Sequence, residues 1–361
     1  MKQQEQINSQ LIILAREFRG FSQKALAEKA GVTQPAVAQL ESGNSVAIGH
    51  DKLLQITNAL GFPNEFFYSS EPRLSFGSSS YFYRKKITKA SDKNFVSGLV
   101  NLLRIHLSTM LTMVDIEASN VLFKRHVDED TNPAQIAELV RETWSIPNGP
   151  IQNLTYHVEK AGIIIIECPF GTNTIDGTSL YLNNLPPVIF INNSLPPDRY
   201  RFTLAHELGH IIMHSVPHEL MEDEADAFAS SLLMPDDDFI RSVVATSTGK
   251  VTISQLIKLK PYWKMAISAM MRKLLDTNRI SNNEYRGMHI ALSKLKLNRN
   301  EPQPFLKEKP ALFKQILEAC LGDYRVARSN AKSILNIYED DFKLLYESFL
   351  PEPKLKIVSR T

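Results

Sequence analysis

The fold and chemistry of this chain are decided by the stretch Thr203-Leu-Ala-His206-Glu207-Leu-Gly-His210-Ile-Ile-Met-His214. The stretch is typical of a helix, where side chains four residues apart lie one turn above each other. His206 and His210 therefore point to one side. Two imidazoles placed in this way can hold one Zn²⁺ with bonds of ~2.0–2.1 Å. Glu207 lies next to the first histidine, where its carboxylate can reach a water on the metal without itself being a ligand.

A second amphipathic helix just downstream carries the candidate third ligand. A catalytic zinc needs three protein ligands and one open position. Between Glu219 and Pro235 apolar residues recur at helical spacing. Glu222 and Asp226 share one face of this helix, so we predict Glu222 as the ligand and Asp226 as the acceptor of a ligand histidine's ring N–H. Glu224 points ~160° away from Asp226 and is the alternative ligand.

Two other interpretations of the histidines stay open at this point. His206 and His210 could be ordinary surface histidines on a helix, although the intervening Glu and the acidic helix that follows favour a metal site. His214 extends the same stripe and could be a ligand. The run lacks the Gly and third-His spacing of the other large His-Glu-x-x-His class. We therefore expect His214 to line the pocket or to support a ligand.

Composition describes an ordinary globular protein. The chain has 361 residues, of which 43% are hydrophobic and 22% charged, enough for two or three domains with cores. No apolar run approaches ~20 residues and the N-terminus lacks an apolar signal core, so we expect neither a membrane span nor a secretory signal. Only Cys168 and Cys320 are present. Two distant cysteines fit a protein of the reducing cytoplasm, not a disulfide framework.

The net charge of +2 hides an uneven distribution along the chain. Residues 107–250 carry eight basic and 20 acidic residues, a net charge of −12. Residues 71–106 carry a net charge of +5 and residues 251–361 a net charge of +9. An acidic middle fits a cation site, and basic flanks fit contact either with nucleic acid or with the acidic middle itself.

The first part of the chain, residues 9–68, is predicted to form short helices joined by tight turns. Ser22 is placed to cap one helix and Thr33 the next, with Pro35 in the first turn, where its missing N–H costs nothing. Gly31 lies in the short turn between these two helices. Two helices joined by such a turn form a helix-turn-helix.

The same residues resemble a known DNA-binding family. The stretch Arg19-Gly-Phe-Ser-Gln-Lys-Ala-Leu-Ala-Glu-Lys-Ala-Gly-Val-Thr-Gln-Pro-Ala-Val-Ala-Gln-Leu-Glu-Ser-Gly43 is similar to the lambda-repressor/Cro-like (xenobiotic response element, XRE) helix-turn-helix family. The resemblance implies a double-stranded DNA operator, bound by a homodimer because two half-sites need two copies. It implies that Gln23 of the second helix contacts phosphate. It also implies that Thr33, Gln34 and Gln39 of the third helix contact bases. The alternative is a helical bundle used only for protein contacts.

Further along, we predict a mainly α fold with a small β-sheet (α+β). Residues 95–126 show the periodicity of one long helix, and strands are expected at 163–166, 178–182 and 188–192, the last two paired across a turn. The edge of this hairpin is suited to hold an extended peptide by strand addition. The predicted division is a helix-turn-helix DNA-binding domain at 1–68, a linker at 69–95, a zincin-like metallopeptidase domain at 96–247 and a C-terminal helical region at 248–361. The linker contains the polar stretches 77–80 and 84–86.

The middle of the chain carries a second resemblance. Three stretches are similar to the ImmA/IrrE family of zinc metallopeptidases: Pro187-Val-Ile-Phe-Ile-Asn192, Arg201-Phe-Thr-Leu-Ala-His-Glu-Leu-Gly-His210, and Glu222-x-x-Ala-Asp-x-Phe-Ala-x-x-Leu-Leu-Met-Pro235. The resemblance implies a Zn²⁺ cofactor and cleavage of helix-turn-helix repressors, and the chain looks like the fused form with both domains in one polypeptide. The implied ligands are His206, His210 and Glu222, with Glu207 as the base.

Together these features favour one function over two others. We expect a DNA-binding transcriptional regulator that carries a zinc-dependent endopeptidase and cleaves a repressor-type protein, in cis or in trans, to switch gene expression. The first alternative is a regulator without proteolysis, in which the zinc site is structural or sensory. The second is an antitoxin-like protein that neutralises a partner and binds DNA for autoregulation.

Overall fold

The structure is a computed structural model that describes residues 7–43, 49–74, 81–82, 89–244, 251–297, 301–322 and 324–350. Within these ranges the chain forms mostly α-helices around one four-stranded sheet. The predicted α+β fold is confirmed. No helix in the described ranges is both long and apolar enough to cross a membrane. The predicted linker stretches 77–80 and 84–86 lie outside the described residues.

The N-terminal part is a bundle of short helices. Their bounds are Ser9–Phe18 (α1), Gln23–Ala30 (α2), Gln34–Glu41 (α3) and His50–Leu60 (α4), with a 3₁₀ helix at Asn64–Tyr68. Ser22 caps α2 by accepting a hydrogen bond from the backbone N–H of Ala25, and Gly31 ends α2 with a left-handed φ of 68°. Thr33 occupies the cap position of α3 without a side-chain capping hydrogen bond, and Pro35 lies in the first turn. Helices α2 and α3 form the predicted helix-turn-helix.

A long helix joins this bundle to the rest of the molecule. Helix α5 spans Ala90–Met110 and packs against α1. A Cβ placed on Gly98 of α5 would lie 2.8 Å from the Cα of Phe18, so only glycine allows the two helices to cross this closely. Leu74 is also held against α5, because the side-chain amide of Asn101 exchanges hydrogen bonds with its backbone at 2.8 and 2.9 Å.

The sheet has the strand order β1-β3-β4-β2. The strands are Tyr81–Phe82 (β1), Ile164–Cys168 (β2), Gly177–Leu182 (β3) and Leu185–Asn192 (β4). Strands β2 and β4 are parallel, and the other neighbours are antiparallel. The predicted hairpin and buried strand are confirmed. The outer edge of β3, which was expected to be open to a peptide, is occupied. It is paired over Leu180 and Ser179 with β1, a strand from the predicted linker.

Helices surround the sheet on both sides. In chain order they are α6 (Pro133–Thr143), α7 (Leu154–Lys160), α8 (Pro197–Met213), α9 (Met221–Leu233), α10 (Asp236–Val244), α11 (Ile253–Trp263), α12 (Ile267–Asp276), α13 (Asn282–Lys294), α14 (Leu312–Leu321), α15 (Tyr324–Leu335) and α16 (Glu339–Tyr346). The predicted boundaries between the peptidase domain and its neighbours stay predictions.

Two hydrophobic cores lie on opposite faces of the sheet, because alternate side chains of a strand point to opposite faces. The first core joins the N-terminal helices, α5 and α14–α16 to one face. The second core joins α6–α13 to the other face. The strand residues in the first core are Ile164, Ile166, Cys168, Leu180, Val188 and Phe190, and those in the second are Ile165, Ile189 and Ile191.

The predicted helix over 95–126 is wrong after Met110. Beyond that residue the chain turns and runs on without regular secondary structure, where the backbone N–H of Ser119 donates to the carbonyl of Lys160 at 2.8 Å. The apolar residues recur at helical spacing, but those after Met110 pack into two different cores, which a single straight helix could not reach. Val114 and Ile116 pack on the first core, and Leu122 and Phe123 on the second.

Candidate metal centre and nucleic-acid interface

Helices α8 and α9 approach closely because a glycine lies one residue before the second histidine of α8. A Cβ on Gly209 would lie 2.9 Å from a ring carbon of Phe228 and 3.5 Å from the Cα of Ala225, both on α9. A side chain at this position would therefore push α9 away. Since Glu222 lies in the first turn of α9, the glycine helps to bring its carboxylate to the histidines.

The three predicted ligands come together at this contact. The Nε2 atoms of His206 and His210 lie 3.0 Å apart, and the Glu222 carboxylate oxygens lie 3.6 Å from the first and 3.5 Å from the second. A tetrahedral zinc with bonds of ~2.0–2.1 Å would separate its ligand atoms by about 3.3 Å. Both Glu222 oxygens are buried, and within the described residues neither accepts a hydrogen bond. Two buried carboxylate oxygens facing two imidazole nitrogens fit a divalent cation.

The far ring nitrogens of both histidines also have partners. Nδ1 of His206 lies 2.8 Å from a carboxylate oxygen of Asp226, as predicted for the residue that accepts a ligand's N–H. Nδ1 of His210 lies 2.9 Å from Nδ1 of His214. Partners on Nδ1 fix the ring and leave Nε2 with its lone pair toward the metal position. His214 is thus placed behind a ligand and not beside Glu222.

The alternative ligand faces a different group. Glu224 points toward His214 and His218, with Oε2 2.9 Å from Nε2 of His214 and 3.5 Å from Nε2 of His218. These three residues form a second group of possible metal ligands. The structure therefore brings Glu222, and not Glu224, to the pair formed by His206 and His210.

The side chain of Glu207, on α8, faces strand β3 of the sheet. A Cβ on Gly177 of β3 would come within 3.3 Å of its Cγ, so the strand packs directly on this side chain. Burial raises the pKa of Glu207 to about 7, against the lowering effects of His206 and of the nearby Ser179 hydroxyl. Its Oε2 is buried and has no hydrogen-bond partner among the described residues. A carboxyl group with this pKa can both accept and return a proton near neutral pH.

The two histidines facing Glu222 have opposite pKa shifts. Burial lowers the pKa of His206, but the hydrogen bond to Asp226 and the nearby carboxylates of Glu222 and Glu207 outweigh burial and raise it to about 9. Burial and the neighbouring histidines lower the pKa of His210. Without a metal the site thus holds a proton on His206, which zinc would displace on binding.

The predicted DNA-contacting residues are Gln23 at the start of α2, Thr33 at the cap of α3, and Gln34 and Gln39 within α3. Thr33, Gln34 and Gln39 are exposed, and Gln23 is half-buried. The amide of Gln23 donates to Glu41 at 2.8 Å and accepts from the amide of Gln34 at 2.9 Å. These bonds fix the orientation of α3 relative to α2, while the exposed side chains stay accessible to a ligand.

Sequence reasoning missed the contribution of β3. Gly177 and Ser179 bring the strand against Glu207, and both follow a buried Asp176 whose carboxylate pairs with Arg199 at 2.6 Å. The available signal was a run of small polar residues in a strand buried on both faces, Gly-Thr-Ser at 177–179. Such residues are unfavourable in a buried strand unless something packs closely on them.

Two family models match the chain. Residues 12–63 match the helix-turn-helix model, and residues 158–274 match the M78 peptidase model, described as the IrrE N-terminal-like domain. The second match spans β2 to α12 and includes the histidine pair and Glu222. No curated protein matches the chain. The two resemblances inferred from the sequence, and their fusion in one chain, are confirmed.

Proposed function

Since the chain joins an XRE-type helix-turn-helix domain to an M78 peptidase-type domain, we propose that it is a DNA-binding transcriptional regulator with a zinc-dependent endopeptidase activity. One observation carries the proposal. His206, His210 and Glu222 each offer a ligand atom to one point, and the residue next to His206 is Glu207, whose carboxyl group is buried. An M78 match without such a group of ligand atoms would support only a peptidase-like fold.

The chain's own residues divide the chemistry between them. His206, His210 and Glu222 would hold Zn²⁺, which when bound supplies Lewis acidity to the scissile carbonyl and to a water molecule. Glu207 accepts a proton from that water and returns it to the leaving amine, for which a pKa near neutrality is suited. Asp226 and His214 hold the two imidazoles in orientation. Burial of the site strengthens each of these electrostatic interactions.

The proposed substrate is a repressor-type protein, cleaved in cis or in trans. A peptide that adds to the sheet beside Glu207 would use the outer edge of β3, near Ser179. In the structure this edge is paired with Tyr81–Phe82 of the same chain. A trans substrate would therefore have to displace β1, whereas a cis substrate would already lie on the correct strand.

For DNA, we propose a homodimer on an operator with two half-sites. Gln23 would contact phosphate, and Thr33, Gln34 and Gln39 would face bases in the major groove. The exposure of the last three, at the cap of α3 and on α3 itself, supports this assignment. Amide side chains are suited to bidentate contacts with adenine.

The experiment compares the wild type with Glu207→Gln and with Glu219→Gln, a matched change at an exposed residue just outside the site. Each protein is loaded with zinc and incubated with repressors of the same genome. Mass spectrometry then maps cleavage both in those repressors and in residues 69–95 of the chain itself. We expect cleavage by the wild type and by Glu219→Gln, and none by Glu207→Gln with its zinc retained. Cleavage that persists in Glu207→Gln contradicts the assigned base. If zinc-loaded wild type cleaves nothing but binds its operator in a zinc-dependent way, the non-proteolytic regulator is the better description.

A further inference from the structure

A second group of possible metal ligands lies at the C-terminal end of α8. It consists of His214 directly after α8, His218 in the following loop and Glu224 in the first turn of α9, and we call it the second cluster. Each residue offers one ligand atom, and these atoms lie within 4.8 Å of one another. Oε2 of Glu224 lies 2.9 Å from Nε2 of His214 and 3.5 Å from Nε2 of His218. These separations bracket the ~3.3 Å expected between ligands of one tetrahedral zinc.

The second cluster is also accessible from one side. The side chain of His214 is 1% exposed and that of Glu224 16%, whereas His218 is 45% exposed. A metal ion can therefore enter past His218 and meet two ligands that are already fixed. Two imidazoles and one carboxylate are a common ligand set for zinc.

We propose that His214, His218 and Glu224 form a second, weaker zinc site, and that its occupation opposes occupation of the first site through the contact between His210 and His214. The inference does not depend on peptidase activity, because it concerns metal binding alone.

The coupling follows from the number of protons on two facing nitrogens. When His210 binds a metal through Nε2, its Nδ1 carries the ring proton and donates to Nδ1 of His214, 2.9 Å away. His214 then carries its own proton on Nε2 and donates to Glu224. This arrangement satisfies every ring nitrogen with one proton per imidazole.

A metal on Nε2 of His214 reverses this arrangement. The proton of His214 must then lie on Nδ1, where it meets the Nδ1 proton of a metal-bound His210. Two donors facing each other at hydrogen-bond distance lose their hydrogen bond and repel. One ring has to turn away, so each bound metal weakens the binding of the other. By thermodynamic linkage the effect is equal in both directions.

The linkage gives the second site a regulatory role. At low free zinc the first site fills and His214 supports its ligand. At higher free zinc the second site begins to fill, and the orientation of His210 is lost. Zinc would thus fill the first site at low concentration and weaken its own binding there at high concentration.

The test counts metal ions in metal-free full-length protein titrated with Zn²⁺ against a chromophoric chelator. The wild type is expected to bind two equivalents, the second at least tenfold more weakly. His218→Ala should bind one equivalent only, and the exposed histidine His50, changed to Ala, serves as the control and should bind two. A single equivalent in the wild type, or two in His218→Ala, overturns the second site.

The coupling has its own test in a chain whose first site is disabled. In His206→Ala the remaining site should bind zinc more tightly than the second site of the wild type. The gain in affinity should equal the factor by which zinc in the first site weakens binding at the second. Without a metal on its Nε2, His210 can carry its ring proton there and accept the proton of His214 at Nδ1, 2.9 Å away. Because His206 is buried, the half-buried Glu222→Ala variant provides a second measurement should the first variant fold poorly. Equal affinity of the second site in the wild type and in a folded variant of this pair overturns the coupling.

Discussion

Replacing Gly209 by alanine tests whether the close approach of α8 and α9 sets the geometry of the candidate metal centre. An alanine inside a helix is favoured over glycine by about 0.8–1.0 kcal/mol. At this position the new Cβ would lie 2.9 Å from the Phe228 ring, a distance that requires α9 or the ring to move. Overpacking of this kind costs roughly 1–3 kcal/mol. The overpacking cost exceeds or cancels the gain in helix propensity. We therefore expect Gly209→Ala to be neutral or to destabilise the protein by up to about 2 kcal/mol.

A second glycine supplies the matched control. Gly287 lies inside α13, is exposed, and has no heavy atom within 4 Å of a Cβ placed on it. The same substitution there should stabilise by about 1 kcal/mol. The difference between the two variants, about 1–3 kcal/mol, then isolates the packing effect from the change of backbone propensity.

The assay is urea unfolding of the metal-free chain followed by tryptophan fluorescence. Both tryptophans, Trp144 and Trp263, lie in the second core with α8 and α9, so the signal reports the part of the molecule that the substitution affects. Zinc titration of the same samples should show weaker binding by Gly209→Ala alone, because α9 carries Glu222. If Gly209→Ala is as stable as Gly287→Ala and keeps its zinc affinity, the close approach does not determine the site.

Three further predictions concern other parts of the molecule. Asp226→Ala should weaken zinc binding roughly 10- to 100-fold, because the ring of His206 loses the contact that orients it. The control Glu219→Ala, a change at an exposed residue, should bind zinc like the wild type. Equal zinc affinities of the two variants would contradict the orienting contact. Burial lowers the pKa of His106 to about 3 from 6.5, so the native state resists a proton that the unfolded chain accepts. The free energy of unfolding therefore falls as the pH drops below 6.5, by up to about 1.4 kcal/mol per pH unit. Urea unfolding monitored by circular dichroism should show a shallower loss between pH 6.5 and 5 in His106→Gln than in the wild type. Identical slopes of unfolding free energy against pH in the two proteins would refute this. Gln34→Ala and Gln39→Ala should each cost about 1–3 kcal/mol on the operator and little on unrelated DNA at the same salt concentration, as measured by fluorescence anisotropy, and equal losses on both DNAs would assign these residues to phosphate contacts.

The features that sequence reasoning predicted well depend on short-range spacing. The His-Glu-x-x-His spacing and the four-residue spacing of Glu222 and Asp226 each place side chains on one face of a helix, whatever surrounds the helix. The hairpin of β3 and β4 followed from apolar runs on either side of a turn. Helical geometry also favoured Glu222 over Glu224, because Glu222 shares a face with Asp226; its role as a metal ligand stays a prediction.

The features it missed depend on where the chain goes next. Helical periodicity over 95–126 did not reveal that apolar residues beyond Met110 would divide between two cores. The pairing of Tyr81–Phe82 with β3 joins residues about a hundred positions apart, and a two-residue strand has no periodicity to detect. The contact of His214 with His210 follows from one helical stripe, but its consequence for metal binding requires the position of Glu224, which comes from a different helix.

The sheet offers a physical route between the metal centre and the DNA-binding helices. Helix α8 packs on one face, and α5 with the N-terminal helices on the other, so a shift of β4 moves side chains in both cores. The bidentate pair between Arg19 of the N-terminal bundle and Asp341 of α16, at 2.5 and 2.7 Å, ties the bundle to a helix of the same first core. Zinc could therefore change operator affinity through packing alone, without cleavage. The Glu207→Gln variant separates these effects, since it should keep the metal and the sheet but lose the base. A zinc response of operator affinity that survives in this variant arises from packing, and one that disappears arises from proteolysis.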